Sequence, residues 1–410
     1  MILNVKNREK KLSNNILSLS QVAKAAKEKN KEVINSTIGM LADEDNNFYT
    51  FEAVKLAMKD LSTRDMFSYS DTDGGARFAE AIKSWVFGNT LDTFVNKCHL
   101  EVIATPGGSG AITTVFSNYL NKGDKVILPN NMWETYITFA KERECSYLTY
   151  NLFDEKGGLD LDSIKKQIDS LVNQETVVLV INDPCQNPTG FCMTDEEYQA
   201  LVVLLNSYER NIVLLMDVAY FDFYNPDGNI IRKRYSLLTD LNANILTVFA
   251  FSGSKTFGLY GLRIGAAIGV SKNIDEVKAF KQASEYTARG YWSSSSTLGI
   301  ALINELVLND KYRALFQSEL KIMSEYLEKR AKVFIDESFK CGLKLLPFNR
   351  GFFVCVPTHD PVGLMNSLHL DNCYVVVTKT CIRIALCAIS VEEAKKLPRI
   401  IRERMEAGGF

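Results

Sequence analysis

Residues 211–217 read NIVLLMD. Five consecutive apolar side chains without polar alternation describe a strand covered on both faces, the state of an inner strand in a parallel sheet. Similar runs flank it: EVIAT (101–105), DKVILP (124–129), CSYLTYN (145–151), TVVLVIND (176–183), NILTVFAFS (244–252) and GAAIGV (265–270). Helix-like segments separate them. TDEEYQALVVLLNSYE (194–209) opens with Thr194 and Glu197 in capping-box spacing. GAITTVFSNYLNKG (110–123) follows a glycine cluster, so a helix is predicted from about Ala111 to the turn at Gly123. The alternation predicts an α/β fold whose large domain, about 46–300, holds a mostly parallel seven-stranded sheet between helices.

The C-terminal part reads differently. LKLLPF (343–348), GFFVCVP (351–357), CYVVVT (373–378) and CIRIALC (381–387) are strand-like. SVEEAKKLPRIIRERMEA (390–407) is a closing helix with Ser390 and Glu393 again in capping-box spacing, and Pro398 is expected to interrupt or kink it. These segments predict a smaller α+β domain made of residues 301–410 and the N-terminal segment 1–45.

Composition narrows the function classes. The 410 residues are 46% hydrophobic and 23% charged, with a net charge of −2, so no basic footprint for nucleic acid stands out. The start, MILNVKNREKKLSNN, lacks the apolar core of a signal peptide, and no apolar run approaches membrane-spanning length. Nine dispersed cysteines without CxxC spacing fit a reducing cytoplasm better than a disulfide framework. The three histidines, His99, His359 and His369, have no catalytic or metal-binding neighbours in the sequence, so no metal and no hydrolase triad is expected.

In open α/β sheets, ligands bind beyond the carboxyl ends of the strands. Four motifs fall there. TPGGSGA (105–111) offers close backbone approach and helix-start N–H groups for an anion such as phosphate, although a glycine-rich turn alone is common. NDPCQNPTG (182–190) is a stiff turn that presents Asn187, or simply a loop. In MDVAYFDF (216–223), Asp217 closes an apolar strand, where a carboxylate needs a partner or serves as a helix cap. FSGSKTFGLYGLRIG (251–265) puts Lys255 directly after an apolar run. SGSK matches S-x-x-K, but S-D-N and K-T-G are missing, and GSKT lacks the P-loop glycine spacing. Taken singly, Lys255 is an ordinary structural lysine. Taken with the anion-binding turn, Asp217 and Asn187, it reads as a desolvated amine that attacks a carbonyl to form a Schiff base.

At this point the chain resembles the class I pyridoxal-phosphate aminotransferases of fold type I, most closely the aspartate (or aspartate/aromatic) aminotransferase group. The resemblance runs from NSTIGM at 35 through SYSDTDGGARFAEAI, TPGGSGA, NNMWETY, DPCQNPTG, MDVAYFDF and SGSKTFGLYGLRIG to CIRIALC at 381. It implies that Lys255 carries pyridoxal 5′-phosphate and later moves the substrate proton, and that Asp217 pairs with the pyridine nitrogen. It also implies that Asn187 and Tyr220 bond the ring's 3-oxygen and that Trp133 stacks on the ring. Gly108, Ser109, Ser252 and Arg263 hold the phosphate, joined by Tyr69 from a neighbouring subunit, so a homodimer with shared sites is implied. Arg383 binds the substrate α-carboxylate, Gly39 and Asn187 line the substrate site, and Arg289 in ARGYWSSSS binds a distal carboxylate from the second subunit.

The expected activity is therefore transfer of an amino group from aspartate or glutamate to a 2-oxo acid such as 2-oxoglutarate, by a ping-pong mechanism in the cytoplasm. An aromatic amino acid aminotransferase is the alternative within the same cofactor class. A C–S lyase or decarboxylase on the same fold, or a non-catalytic regulator, are further alternatives. Two departures stand out. The histidine that supports the ring-binding aspartate in many relatives is here Tyr136, so Asp217 is expected to need a different partner. Ser254 adds a hydroxyl next to Lys255.

Overall fold

The structure is a computed structural model that describes residues 2–8, 10, 16–225 and 228–410. Met1, Glu9, 11–15 and 226–227 lie outside the described residues, which takes in part of the N-terminal segment assigned above to the smaller domain. Seven strands form the central sheet: β1 (His99–Thr105), β2 (Lys125–Pro129), β3 (Ser146–Tyr150), β4 (Thr176–Asn182), β5 (Asn211–Asp217), β6 (Ile245–Ser252) and β7 (Gly265–Ser271). Their spatial order is β1-β7-β6-β5-β4-β2-β3. The pairs β6–β5, β5–β4, β4–β2 and β2–β3 are parallel. β7 runs antiparallel to both neighbours, so the sheet is mostly parallel with one reversed strand.

The pleat explains why these strands carry no polar alternation. One face presents Val178, Val180, Val213, Leu215, Leu246 and Val248 to helix α1 (Gly107–Tyr119), to Tyr136 on α2 (Thr135–Glu142), and to Val277 and Phe280 on α3 (Ile274–Tyr291). The other face presents Val177, Leu179, Ile181, Ile212, Leu214 and Phe249 to a second, larger core. Burying each of these side chains contributes about 1.5–3 kcal/mol relative to leaving it exposed, so both faces select against polar residues. The two capping boxes are both present. Thr194 accepts from the Glu197 amide at 3.2 Å while Glu197 accepts from the Thr194 amide at 2.7 Å. Ser390 and Glu393 repeat the exchange at 3.2 and 2.8 Å.

The C-terminal part forms a three-stranded antiparallel sheet, β8 (Phe353–Pro357), β9 (Val376–Val377) and β10 (Cys381–Ala385), in the order β9-β10-β8. Ile34–Asn35 pairs in parallel with Cys373–Tyr374, tying the N-terminal segment to this part of the chain. Helix α4 (Asp310–Cys341) packs against α5 (Val391–Gly408).

Several local expectations are corrected. LKLLPF is not a strand: Pro347 has no N–H to give, and the segment makes a single backbone bond to β8, Leu346 N–H to Cys355 O at 3.0 Å. CYVVVT is split into two two-residue strands with different partners. Pro398 does not end the closing helix, which continues to Gly408 with Leu397, Pro398 and Ile401 buried, so packing outweighs the lost hydrogen bond. α1 begins at Gly107 rather than near Ala111, which moves the glycine cluster into its first turn. No helix among the described residues is long and apolar enough to cross a membrane.

Candidate active site

The register aligns the chemistry. Asn182 lies opposite Asp217, Asp217 opposite Ala250, and both Ser252 and Thr105 opposite Gly265. The carboxyl ends of β1, β4, β5 and β6 therefore meet at one edge of the sheet. A cleft opens there, lined by Gly39, Gly108, Ser109, Trp133, Asn187 and Asp217, and by Tyr220, Ser252, Lys255, Arg263 and Arg383. These are all of the residues expected at the site from this subunit.

Lys255 sits on the short helix Gly253–Thr256 that follows β6. Its Nζ donates to the Gly39 carbonyl oxygen at 2.7 Å and faces the Tyr260 ring at 4.8 Å. Burial lowers its pKa from 10.5 to about 8, and the Arg383 and Arg263 charges push the same way. The result is an amine that loses its proton far more readily than an exposed lysine, as a nucleophile or proton acceptor requires.

Asp217 ends β5 inside the cleft and is 6% exposed. Its Oδ1 accepts from the Ala219 amide at 3.2 Å, and its Oδ2 accepts from the Tyr136 hydroxyl at 2.5 Å. Burial raises its pKa, whereas Tyr136, the Ala219 amide and the Lys255 charge oppose the rise. The different partner expected for Asp217 is thus Tyr136 itself. The tyrosine ring also meets Trp133 edge-on, with centroids 5.6 Å apart.

The start of α1 forms an anion cradle. Pro106 at the N-cap makes no side-chain capping bond, which leaves the first N–H groups without a capping oxygen. Gly107 has φ +71°, and a Cβ there would stand 2.8 Å from Arg263 Nη2, so only glycine lets this turn approach the guanidinium. Arg263 donates to Ser254 Oγ at 3.2 Å and to the Tyr260 carbonyl at 3.0 Å. Ser254 therefore serves the arginine.

Arg383 on β10 is 5% exposed and lies 4.1 Å from the Phe353 ring centroid. It donates to Asn187 Oδ1 at 3.2 Å and to the Thr37 carbonyl at 2.8 Å, but its Nε has no partner. Among the described residues no carboxylate pairs with it. A buried guanidinium held only by neutral acceptors, with one N–H free, is built to receive an anion. Asn187 is in turn fixed through its own amide, which donates to Asn182 Oδ1 at 2.8 Å. The turn that carries it needs Gly190, whose φ is +77° and whose Cβ would meet Phe348 at 2.3 Å.

Tyr69 and Arg289 lie away from this cleft. Tyr69 is 95% exposed, and Arg289, near the end of α3, is exposed and donates to Ser293 Oγ at 2.7 Å. Their loops are tied together: Ser70 Oγ donates to the Ser295 carbonyl at 3.0 Å, and Thr297 Oγ1 to the Ser68 carbonyl at 2.6 Å.

Sequence reasoning missed Tyr260, Phe353, Asn182 and Ile112 as lining residues. Tyr260 lies within the lysine motif and Asn182 closes a strand, so position alone could have flagged them. Phe353 and Ile112 sit in apolar runs that look like any core segment.

The site fits pyridoxal phosphate on its own donor set. An uncapped helix start, two serines and an arginine suit the phosphate, a buried carboxylate suits a ring N–H, and a lysine of lowered basicity suits the aldehyde.

Comparison with known proteins agrees. A profile described as "Aminotransferase class I and II" matches residues 31–401. An aspartate aminotransferase of Salmonella typhi is 27% identical over 330 residues, 78% of this chain and 80% of that protein. A tyrosine aminotransferase of Rhizobium meliloti is 26% identical over 292 residues, 70% of this chain and 72% of that protein. The crystal structure of an aminotransferase from Anaerococcus prevotii superposes with a TM-score of 0.93 at 26% identity, covering 98% of this chain and 99% of that one. On the match over residues 31–401, set on this sheet and cleft, the chain belongs to the class I and II aminotransferase family.

Proposed function

We propose that this pyridoxal-phosphate-dependent aminotransferase moves an amino group from aspartate or glutamate to a 2-oxo acid such as 2-oxoglutarate, with the first product leaving before the second substrate binds. The observation that carries the reading is the meeting, in one cleft, of the Lys255 amine with its lowered pKa and the unpaired buried Arg383.

The bound cofactor supplies an electron sink for the electrons left when the substrate's Cα–H bond breaks. Gly108, Ser109, Ser252 and Arg263 would hold its phosphate, Trp133 would pack beside its ring, Asn187 and Tyr220 would bond its 3-oxygen, and Asp217 would accept its ring N–H. Arg383 takes the substrate α-carboxylate through Nε and a terminal nitrogen. Lys255 Nζ, once released from the Gly39 carbonyl oxygen, would take and hold the proton from the substrate Cα. Gly39 lines the substrate site, where a Cβ would stand 2.5 Å from the Phe353 ring, so that ring packs against it.

The same reading makes the enzyme a cytoplasmic homodimer, in which Tyr69 and Arg289 reach the neighbouring subunit's site. Their joint exposure and the tie between their loops support this. Arg289 then selects the distal carboxylate of a dicarboxylic substrate. The chain divides into a cofactor-binding domain over 46–300 and a smaller one from 1–45 and 301–410. A second reading, aromatic substrates, is favoured by the similarity to the Rhizobium tyrosine aminotransferase.

A single-turnover experiment separates these readings. Cofactor-loaded protein is mixed with one amino acid at a time, without an acceptor, and the 2-oxo acid released is counted. One equivalent per subunit from aspartate and glutamate at the lowest concentrations is expected. Preference for tyrosine or phenylalanine selects the aromatic reading. Continuous release of pyruvate and ammonia from cystathionine would overturn transamination in favour of a lyase.

A further inference from the structure

Asp217 is a carboxylate in a nearly dry place. Among the described residues it has no ion-pair partner, and its hydrogen bonds come from one backbone amide and one side chain, Tyr136. Tyr136 is itself completely buried. Its α2 backbone is anchored two ways: the Tyr136 amide donates to the Trp133 carbonyl at 3.1 Å, and the ring packs into the core beneath the sheet. The phenol therefore has one polar task, donation to Asp217.

We propose that Tyr136 is a positioning residue for the reaction: its hydroxyl fixes Asp217 Oδ2, favours the charged carboxylate by donating to it, and leaves the remaining lone pairs aimed into the cleft for a ring N–H. This inference rests on the proposed use of Asp217 at the cofactor ring. A phenol donates to the carboxylate without carrying a charge of its own. Burial and the Asp217 charge raise its pKa well above 10, so its proton stays in place and it never becomes a cation competing with the ring for Asp217. In metal sites, loss of an outer partner that orients a ligating group costs about 10- to 100-fold in affinity or activity, and Tyr136 holds Asp217 in the same way.

The test is Tyr136→Phe, which keeps the ring and its packing against Trp133 and removes only the oxygen. Three readouts are taken alongside the parent: the dissociation constant for pyridoxal phosphate, the 15N shift of ring-labelled cofactor in the complex, and kcat and KM separately. The expected result is cofactor affinity weakened by about tenfold or more, a 15N signal moved toward the unprotonated ring, and a fall in kcat with KM for the amino acid nearly unchanged. Tyr136→His, which returns a donor, is expected to recover affinity and the protonated signal. It also decides the matter if the phenylalanine variant does not fold. A folded Y136F with parental affinity and a protonated ring overturns the inference, as does a folded Y136H that binds no better than Y136F. A parent that binds no pyridoxal phosphate at all would instead sink the proposed function, so the two failures are distinguishable.

Discussion

Replacing Arg383 with leucine should separate stability from activity. The guanidinium is buried, and its partners are all neutral: the Asn187 side chain, the Thr37 carbonyl and the Phe353 ring. In Arg383→Leu, two acceptors lose a donor, which costs about 1–3 kcal/mol each. Removal of an uncompensated buried cation, whose desolvation costs several kcal/mol, offsets this. The net change in unfolding free energy of the cofactor-free protein is therefore expected to stay below about 2 kcal/mol, against about 3–5 kcal/mol for breaking a buried ion pair. Activity should respond very differently. Two charge-assisted hydrogen bonds to a substrate carboxylate are worth about 1.5–3 kcal/mol each. Together they correspond to a loss of about 10²- to 10⁴-fold in kcat/KM. Urea unfolding and steady-state kinetics with aspartate measure the two quantities on the same preparations. A variant within tenfold of the parent in kcat/KM, or one destabilised as by a broken ion pair, would refute the assignment of Arg383 to the substrate.

Three other perturbations have expected outcomes. Because burial lowers the Lys255 pKa to about 8 from its ordinary 10.5, the unfolded chain binds the extra proton between those values, and that group's contribution to stability rises with pH across the window. Cofactor-free Lys255→Met should therefore be more stable than the parent at pH 7, with the advantage shrinking from about pH 8 to about pH 10.5 in urea titrations. Gly190→Ala should destabilise by at least about 2 kcal/mol in the same assay, because the position has positive φ and the added carbon would meet Phe348. Arg289→Leu should raise KM for aspartate and glutamate by about tenfold or more while leaving phenylalanine nearly unaffected, read from steady-state kinetics with each substrate.

How much of this was legible in the sequence follows from what each signal encodes. Runs such as NIVLLMD report burial on both faces, and so the sheet was readable. Strand direction was not. β7 is as completely buried as β6, which runs the other way, so its reversal leaves no compositional mark. Asp217, Lys255 and Arg383 were conspicuous because a charge beside or within an apolar strand demands an explanation. Phe353 was invisible because an aromatic residue under a guanidinium looks like any core aromatic. Tyr136 was legible only as a departure. That its hydroxyl reaches Asp217 depends on how α2 packs over β5, a contact between residues 81 positions apart. Tyr69 and Arg289 are exposed in the single chain, so burial arguments cannot assign them a task.

The central claim is that Lys255 is the amine that holds the cofactor, and borohydride fixation tests it most directly. The protein is loaded with pyridoxal phosphate, reduced, digested and analysed by mass spectrometry. The account predicts stoichiometric modification of the peptide carrying Lys255 and its disappearance, with no new site, in Lys255→Ala. Modification concentrated on any other lysine, or none in a folded and cofactor-saturated protein, would contradict it.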